Sequence, residues 1–428
     1  DDGFGNDSNH GKQNQSDDGK NYAPNEEPED KKDNSASKEV DDEKENSEGT
    51  EKPTVNDLSN PTETEKATLI ANIKAAHGVD GRIKNVTITG DTATIQYNDD
   101  TTRTLKVADI AKPKAPTVTN DLSNQGGLAK NITITNIEPK ATSVTVKVGD
   151  ITRTIPKPVG ETTLTVTPTD LGLTAGLLPK DGAVKATANV TDSSGVTTPS
   201  DDSAAVNITP ETIKPEATNT VVEVKDRATG LWKAVPQGTA NNLPQHTFYA
   251  GDELRFTTTF TDNSGYIKKT NVHQGTTGNT IISNVLDDKF GQANADNISS
   301  LTEATSTNPA KLEVTGKVKD ELRYETGNAA TRSISAEDAA DNRSTGSTFR
   351  IKQGSLAVRN ANLNPDKKIK VTNLSALTDT EKDSIKEAVK NAHDTTTEKE
   401  KDRIQDVIIE GPNVKITYKD GQSRTKPI

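Results

Sequence analysis

Apolar positions are nearly absent from the first 52 residues, where Phe4, Tyr22, Ala23 and Val40 stand isolated among Asp, Glu, Asn, Ser, Lys and Gly. Such a stretch buries too little surface to offset the entropy of ordering, so a disordered acidic tether is expected over 1–52. A regular pattern begins beyond it. Leu69, Ile70, Ile73 and Ala76 recur at helical spacing, and the period then changes to two. Val86 and Ile88, then Ala93, Ile95 and Tyr97, alternate with polar residues, and Gly90-Asp91 supplies a turn between them. Thr62 followed by Glu65 predicts a capping box, in which the hydroxyl caps a free amide and the carboxylate reaches back. The unit is a helix packed on a hairpin or small sheet.

The same unit returns near the other end. Val55-Asn-Asp-Leu-Ser-Asn-Pro-Thr-Glu-Thr-Glu-Lys66 aligns with Val371-Thr-Asn-Leu-Ser-Ala-Leu-Thr-Asp-Thr-Glu-Lys382. The alignment runs without a gap through His77 and His393. After an insertion, Arg82-Ile-Lys-Asn-Val-Thr-Ile88 aligns with Arg403-Ile-Gln-Asp-Val-Ile-Ile409, and Ile95-Gln-Tyr-Asn-Asp-Asp100 with Ile416-Thr-Tyr-Lys-Asp-Gly421. Thr378 and Glu381 repeat the capping box, Ile385, Val389 and Ala392 the helical stripe, and Gly411-Pro412-Asn413 the turn. This is a duplicated α+β module.

Between the copies the chain reads as short strands broken by Gly, Pro, Asn and Asp. Alternation over 131–137, 143–148, 163–167, 184–190 and 204–208 predicts an antiparallel β-sandwich. A second β-rich stretch holds the only Trp, Trp232, with Phe248, Tyr249, Phe256, Phe260, Tyr266, Phe290, Tyr324 and Phe349. It is expected to hold the largest core and to be the place for a ligand platform. The expected fold is multidomain and mainly β. It has a tether (1–52), a small α+β repeat (53–112), an Ig-like sandwich (113–215), a second Ig-like sandwich (216–352), a linker (353–366) and the second α+β repeat (367–428).

Composition narrows the function. Hydrophobic residues are 29% and aromatics 3% of the chain, below the roughly 45–50% apolar usage of globular chains. Several thin cores fit this better than one large one. With no Cys, disulfides and thiolate chemistry are excluded. With no Met, the chain reads as a mature form or an excised piece. No apolar run is long enough to cross a bilayer. A net charge of −12 argues against nucleic acid or anionic lipid as partner.

Catalytic patterns are absent. His10, His77, His246, His273 and His393 belong to no zinc motif or nucleophile triad, and no P-loop or dinucleotide fingerprint occurs. The expectation is a protein that is not an enzyme and needs no cofactor. His77 and His393 share one repeat position, just after the helix stripe. Ligand or pH-sensor roles are conceivable there, but a histidine favoured by the helix dipole is the simpler reading. A strand ending in an Asp-led turn occurs three times, at Ala188-Asn-Val-Thr-Asp-Ser-Ser-Gly195, Thr259-Phe-Thr-Asp-Asn-Ser-Gly265 and Ile334-Ser-Ala-Glu-Asp-Ala-Ala-Asp-Asn342. The Asp accepts backbone N–H groups ahead of it, while Gly or Asn takes positive φ. Calcium is the alternative occupant of Asp192, Asp262, Asp338 and Asp341, but no Asp-x-Asp pair stands near them.

The third of these turns resembles the A-x-D-A-A-G-N turn of Ig-like and cadherin-like modules in bacterial cell-wall adhesins, with Asp341 in place of Gly. The helix–hairpin units resemble small modules of Gram-positive surface proteins, Rib-like ones among them. The order of sandwich, second Ig-like domain and small α/β unit resembles the binding region of streptococcal serine-rich-repeat adhesins. Those carry a Siglec-like domain followed by a small unique domain. In that family a hydrophobic-Thr-Arg-x strand leads into the terminal turn and contacts sialic acid, and the matching residues here are Ala330-Thr331-Arg332-Ser333. The resemblance thus implies Thr331 and Arg332 as ligand contacts, with Tyr324 and Arg323 near them in sequence. A guanidinium pairs with a sugar carboxylate in bidentate fashion, and a Thr hydroxyl meets a ring hydroxyl. A solvent-facing strand Arg is the alternative, since Thr102-Arg103 and Thr152-Arg153 occur in other modules.

The resemblance implies a monomeric, extracellular, cell-wall adhesin whose partner is a host glycan or glycoprotein, sialylated glycans among them. Neither nucleic-acid binding nor membrane insertion is expected. A structural stalk with no ligand site of its own is the other reading, since spacer modules multiply by duplication.

Overall fold

A computed structural model describes residues 51–78, 81–274, 297–321 and 329–428. All but the last two residues of the expected tether lie outside the described residues, as do Phe290, Arg323 and Tyr324. The fold is mainly β, and the chain divides into two units, residues 1–211 and 212–428.

In the first unit the helix Glu63–Ala76 starts at the predicted capping box. Glu65 N–H donates to the Thr62 hydroxyl (3.2 Å), and Thr62 N–H donates to the Glu65 carboxylate (2.8 Å). Leu69 and Ile73 are buried. The hairpin Ile83–Thr89 and Thr92–Tyr97 turns at Gly90, whose φ of 58° is the left-handed conformation that favours glycine. A third strand, Thr102–Lys106, extends the hairpin to a three-stranded antiparallel sheet, the small-sheet form of the expected unit.

A β-sandwich follows. One sheet orders Thr197–Pro199, Gly182–Thr191, Ser143–Val148 and Ile151–Pro156, with Val206–Ile208 also on Gly182–Thr191. The other orders Leu164–Val166, Ile132–Thr135 and Thr117–Val118. All these pairings are antiparallel, as expected. Inward-facing Val144, Val146, Val148, Val184, Ile132 and Ile134 join Leu58, Val107 and Ile110 in one continuous core. A polar contact marks the seam: Leu58 N–H donates to the carboxylate of wholly buried Glu138 (3.2 Å).

The second unit repeats these parts in the other order. Its sandwich sets Glu216–Ala217, Glu253–Thr261, Val221–Lys225, Trp232–Ala234 and Ala310–Lys317 in one sheet. The other sheet runs Gln237–Ala240, Leu243–Phe248, Ser347–Gln353, Ala329–Glu337 and Lys269–Gln274. In it Leu243–Phe248 pairs in parallel with Ser347–Gln353. Most of the described aromatics serve the core: Phe248, Phe256, Phe260 and Phe349 are fully buried. Trp232 is half-buried, and the Arg255 guanidinium sits 4.6 Å from its ring centroid.

The helix Asp379–Ala392 and the strands Ile404–Glu410, Asn413–Tyr418 and Ser423–Pro427 form the second repeat. It packs on its own sandwich through Ala250, Leu356 and Ala357. Buried charges reinforce that junction. Arg403, 1% exposed, pairs with Asp252 and Glu400 at 2.9 Å each. Arg359 reaches the same two carboxylates at 3.4 and 3.3 Å. Gly251 is required beside them, since a Cβ there would lie 2.6 Å from Asp320 Oδ1 and 3.2 Å from Arg403 Nε.

The two repeat histidines are helix C-caps, but not in the way a helix dipole would use a cation. His77 Nδ1–H donates to Ile73 O (2.7 Å), and its Nε2 accepts from the Tyr97 hydroxyl (3.2 Å). His393 does the same with Val389 O (2.8 Å) and Tyr418 (2.7 Å). A ring that donates from one nitrogen and accepts at the other is neutral. Burial holds His393 below the ordinary histidine value, with Arg424 adding to the effect.

Two outcomes follow. Because the His393 value is depressed, its contribution to stability is complete above about pH 6.5 and is lost as pH falls below it. His393→Ala should cost about 1–3 kcal/mol at pH 7 by leaving buried partners unsatisfied, and the gap from the parent should narrow by pH 5 in thermal melts. Arg403→Ala leaves two carboxylates buried without their main partner and should cost about 3–5 kcal/mol in urea denaturation.

Candidate functional site

Thr331 and Arg332 sit in the strand Ala329–Glu337, between Ser347–Gln353 and Lys269–Gln274. Side chains alternate along a strand, so the two point to opposite faces. Arg332 shares the inward face with Ala330, Ile334 and Ala336, all core residues, and is wholly buried. Thr331 is half-buried and faces away from that core. The structure therefore places Arg332 neither on bare solvent nor in an open groove.

Arg332 stands opposite Phe349 on one neighbouring strand and Gln274 on the other. Its Nη1–H donates to Thr331 O (3.0 Å). Burial pushes the guanidinium down to about 10. Phe349 stacks on Phe256 from the facing sheet, with ring centroids 5.8 Å apart. On the other flank of Phe349 lies His246, edge-on at 6.1 Å, 4% exposed and held below its ordinary value by burial. Neither ring nitrogen of His246 has a hydrogen-bond partner among the described residues. Arg332, Phe349 and His246 thus occupy three adjacent strands on one inward face. Sequence reading missed Phe349 and His246 as neighbours of Arg332. The usable signal was parity, since Arg332 alternates in step with Ala330 and Ile334.

Each Asp-led turn is braced by its own aspartate. Asp338, fully buried, accepts from Ala340 N–H (3.0 Å), Asn342 N–H (2.9 Å) and Asn342 Nδ2 (3.1 Å). Asp341 takes φ 67°, the conformation for which the related turn uses Gly. Asp192 likewise accepts Ser194 N–H (3.0 Å) and Val196 N–H (2.9 Å). Asp262 accepts Ser264 N–H (3.1 Å), and burial, opposed by Ser264 and reinforced by neighbouring Asp338, pushes it up to about 6.

Two family models match the second unit. Residues 237–357 match the GspA/SrpA SigLec-like domain. Residues 360–427 match the atypical Rib domain. The SigLec-like match contains the whole Thr331–Arg332 strand and its turn, and the Rib match covers the second α+β repeat. Both bear out the resemblances read from the sequence. Solved structures similar to the chain include the SrpA adhesin from Streptococcus sanguinis, at 26% identity over 51% of this chain and 92% of that one, with a TM-score of 0.33. A point mutant of that adhesin gives 25% identity, 45% and 94% coverage, and a TM-score of 0.32. The sialic acid binding region of a Streptococcus sanguinis SK1 adhesin bound to 3'sLn gives 15%, 73% and 96%, and 0.30. No curated protein matches at a significant level. No helix among the described residues is long and apolar enough to cross a membrane.

Asp262 gives the SigLec-like domain a pH signature. Its folded value, about 6, lies above the ordinary 3.8. Its favourable contribution is therefore complete below about pH 4 and is lost as pH rises through about 6. Asp262→Asn should match the parent near pH 4 and exceed it by about 1–2 kcal/mol at pH 7, less than full linkage because the site is partly exposed. Paired thermal melts at the two pH values check this.

Proposed function

We propose that this chain is the binding region of a bacterial cell-surface adhesin, extracellular and attached to the cell wall, acting as a monomer. The 216–352 module binds a host glycan or glycoprotein, with sialylated glycans the preferred class. The observation that carries this reading is the SigLec-like match over 237–357, which contains Ala330-Thr331-Arg332-Ser333 within one strand. The 113–215 sandwich and the two repeats, 53–112 and 367–428, support and space that module.

Thr331 and Arg332 are the proposed contacts, joined by Arg323 and Tyr324. The chemistry is that of a guanidinium taken out of water. Burial makes the charged form costly, and a carboxylate brought beside it recovers that cost through charge-assisted hydrogen bonds. Because Thr331 and Arg332 lie on opposite faces of a strand paired on both sides, a ligand that meets both approaches at the strand's starting end. The duplicated repeats favour a second reading, a spacer with no ligand of its own.

Direct binding of a sialylated trisaccharide and its asialo counterpart to the full chain separates the two readings. The sialylated sugar should bind and the asialo form should not. A charge-assisted bond is worth about 1.5–3 kcal/mol, so Arg332→Lys, which keeps the charge but loses the fork, should weaken binding by roughly 10- to 100-fold. Unchanged binding by a folded Arg332→Lys variant removes Arg332 from the site. Absence of binding to any glycan leaves the spacer reading.

A further inference from the structure

The two α+β repeats hold one segment in the same shape and cover it differently. In the first copy, Asn56 N–H donates to Glu65 Oε2 (2.8 Å), Ser59 N–H to Asp57 Oδ1 (2.9 Å) and Asn60 N–H to Asp57 O (3.0 Å). In the second, Thr372 N–H donates to Glu381 Oε2 (2.7 Å), Ser375 N–H to Asn373 Oδ1 (2.9 Å) and Ala376 N–H to Asn373 O (3.1 Å). The strand register also corresponds: Thr92 faces Lys106 as Asn413 faces Pro427. Val55, Leu58 and Val107 therefore match Val371, Leu374 and Ile428 position for position.

Their surroundings diverge. Val55, Leu58 and Val107 are each 0% exposed. Thr54–Val55 pairs in parallel with Lys112–Pro113, and Lys112 N–H donates to Pro53 O (2.9 Å). The sandwich then covers this end, and its buried Glu138 accepts Leu58 N–H. In the second copy Leu374 is 67% exposed, Ile428 38% and Ile369 37%. Among the described residues, 370–371 has no strand partner. Isolated exposed apolar residues are ordinary. Here Leu374 and Ile428 share one end of a module whose twin buries the same two positions, and Val371 is half-buried where Val55 is wholly buried, on a backbone already held in the docked conformation.

We propose that the end of the second repeat carrying Ile369, Val371, Leu374 and Ile428 is a docking surface for a β-sandwich module of the kind formed by residues 113–211. The occupant sits as that sandwich sits on the first repeat. An extended segment like Lys112–Pro113 adds in parallel beside 370–371, and a buried carboxylate like Glu138 accepts Leu374 N–H. One contact of the first interface is not repeated. Lys140 pairs with Asp91 at 3.0 Å, and Pro412 stands at the position matching Asp91. The second surface is accordingly more apolar, and its specificity rests on the strand edge and the carboxylate. The repeat is then a two-sided connector: its Arg403 side holds one sandwich, and its Leu374 side receives another.

The test extends the full chain after Ile428 with a second copy of residues 108–211, and in parallel with a copy of 108–116 only. With the long extension, exchange of the Leu374 amide hydrogen should slow by at least about tenfold relative to the parent. Leu374→Ser should then lower the melting temperature of the extended chain and leave the parent unchanged. With the short extension, the amide of the lysine matching Lys112 should become protected. A folded graft that leaves Leu374 exchange at the parent rate overturns the proposal. Should the graft not fold, an unprotected lysine amide in the short extension overturns it equally.

Discussion

Scarcity of apolar side chains governs this molecule. With 29% hydrophobic residues, the modules bring polar groups into their cores, several of them with partners ready. Glu138 meets backbone N–H groups, His77 and His393 meet a carbonyl and a tyrosine, and Arg403 meets Asp252 and Glu400. A buried polar group costs little when satisfied and a great deal when not. The histidine contacts fix helix on sheet within each repeat, and the Glu138 and Arg403–Asp252 contacts fix where each repeat sits on its own sandwich more sharply than a smooth apolar seam would. They also explain how repeats of this size persist in a chain with no disulfide.

What the sequence made legible was local. Capping boxes at Thr62 and Thr378 and the alternation from Val86 to Tyr97 depend on residues a few positions apart, and both copies follow them. The missed strands lack the apolar alternation that announces a strand. Thr102–Lys106 buries a single apolar side chain, Leu105, and Ser423–Pro427 contains none. Ile151–Pro156 turns an arginine, Arg153, toward the interior where a Val or Ile would have signalled the face. The histidines were legible in position but not in mechanism, because their tyrosine partners arrive from the sheet.

The candidate site was legible as a motif and illegible as geometry. Arg332 follows the parity of the core, yet its chemistry suggests an outward residue. The first unit shows how general this arrangement is. Arg153 is also buried, and its Nη1–H donates to Thr152 O at 3.0 Å, as Arg332 does to Thr331. A Thr-Arg pair is thus a recurring way to carry a guanidinium within a strand. What sets the second instance apart is the family match around it and the row it forms with Phe349 and His246.

The charged seam around Arg403 bears on motion. A hinge needs a few residues that can change conformation without uncovering anything costly. Between the second sandwich and the second repeat, any swing would part Arg403 from Asp252 and Arg227 from Glu400 while still shielding both carboxylates from water. Gly251, confined by Asp320 and Arg403, leaves no slack at the pivot. The pivot between sandwich and repeat in the second unit is therefore stiffened by charge as well as by packing, and bending it would cost the buried ion network before it uncovered any apolar surface.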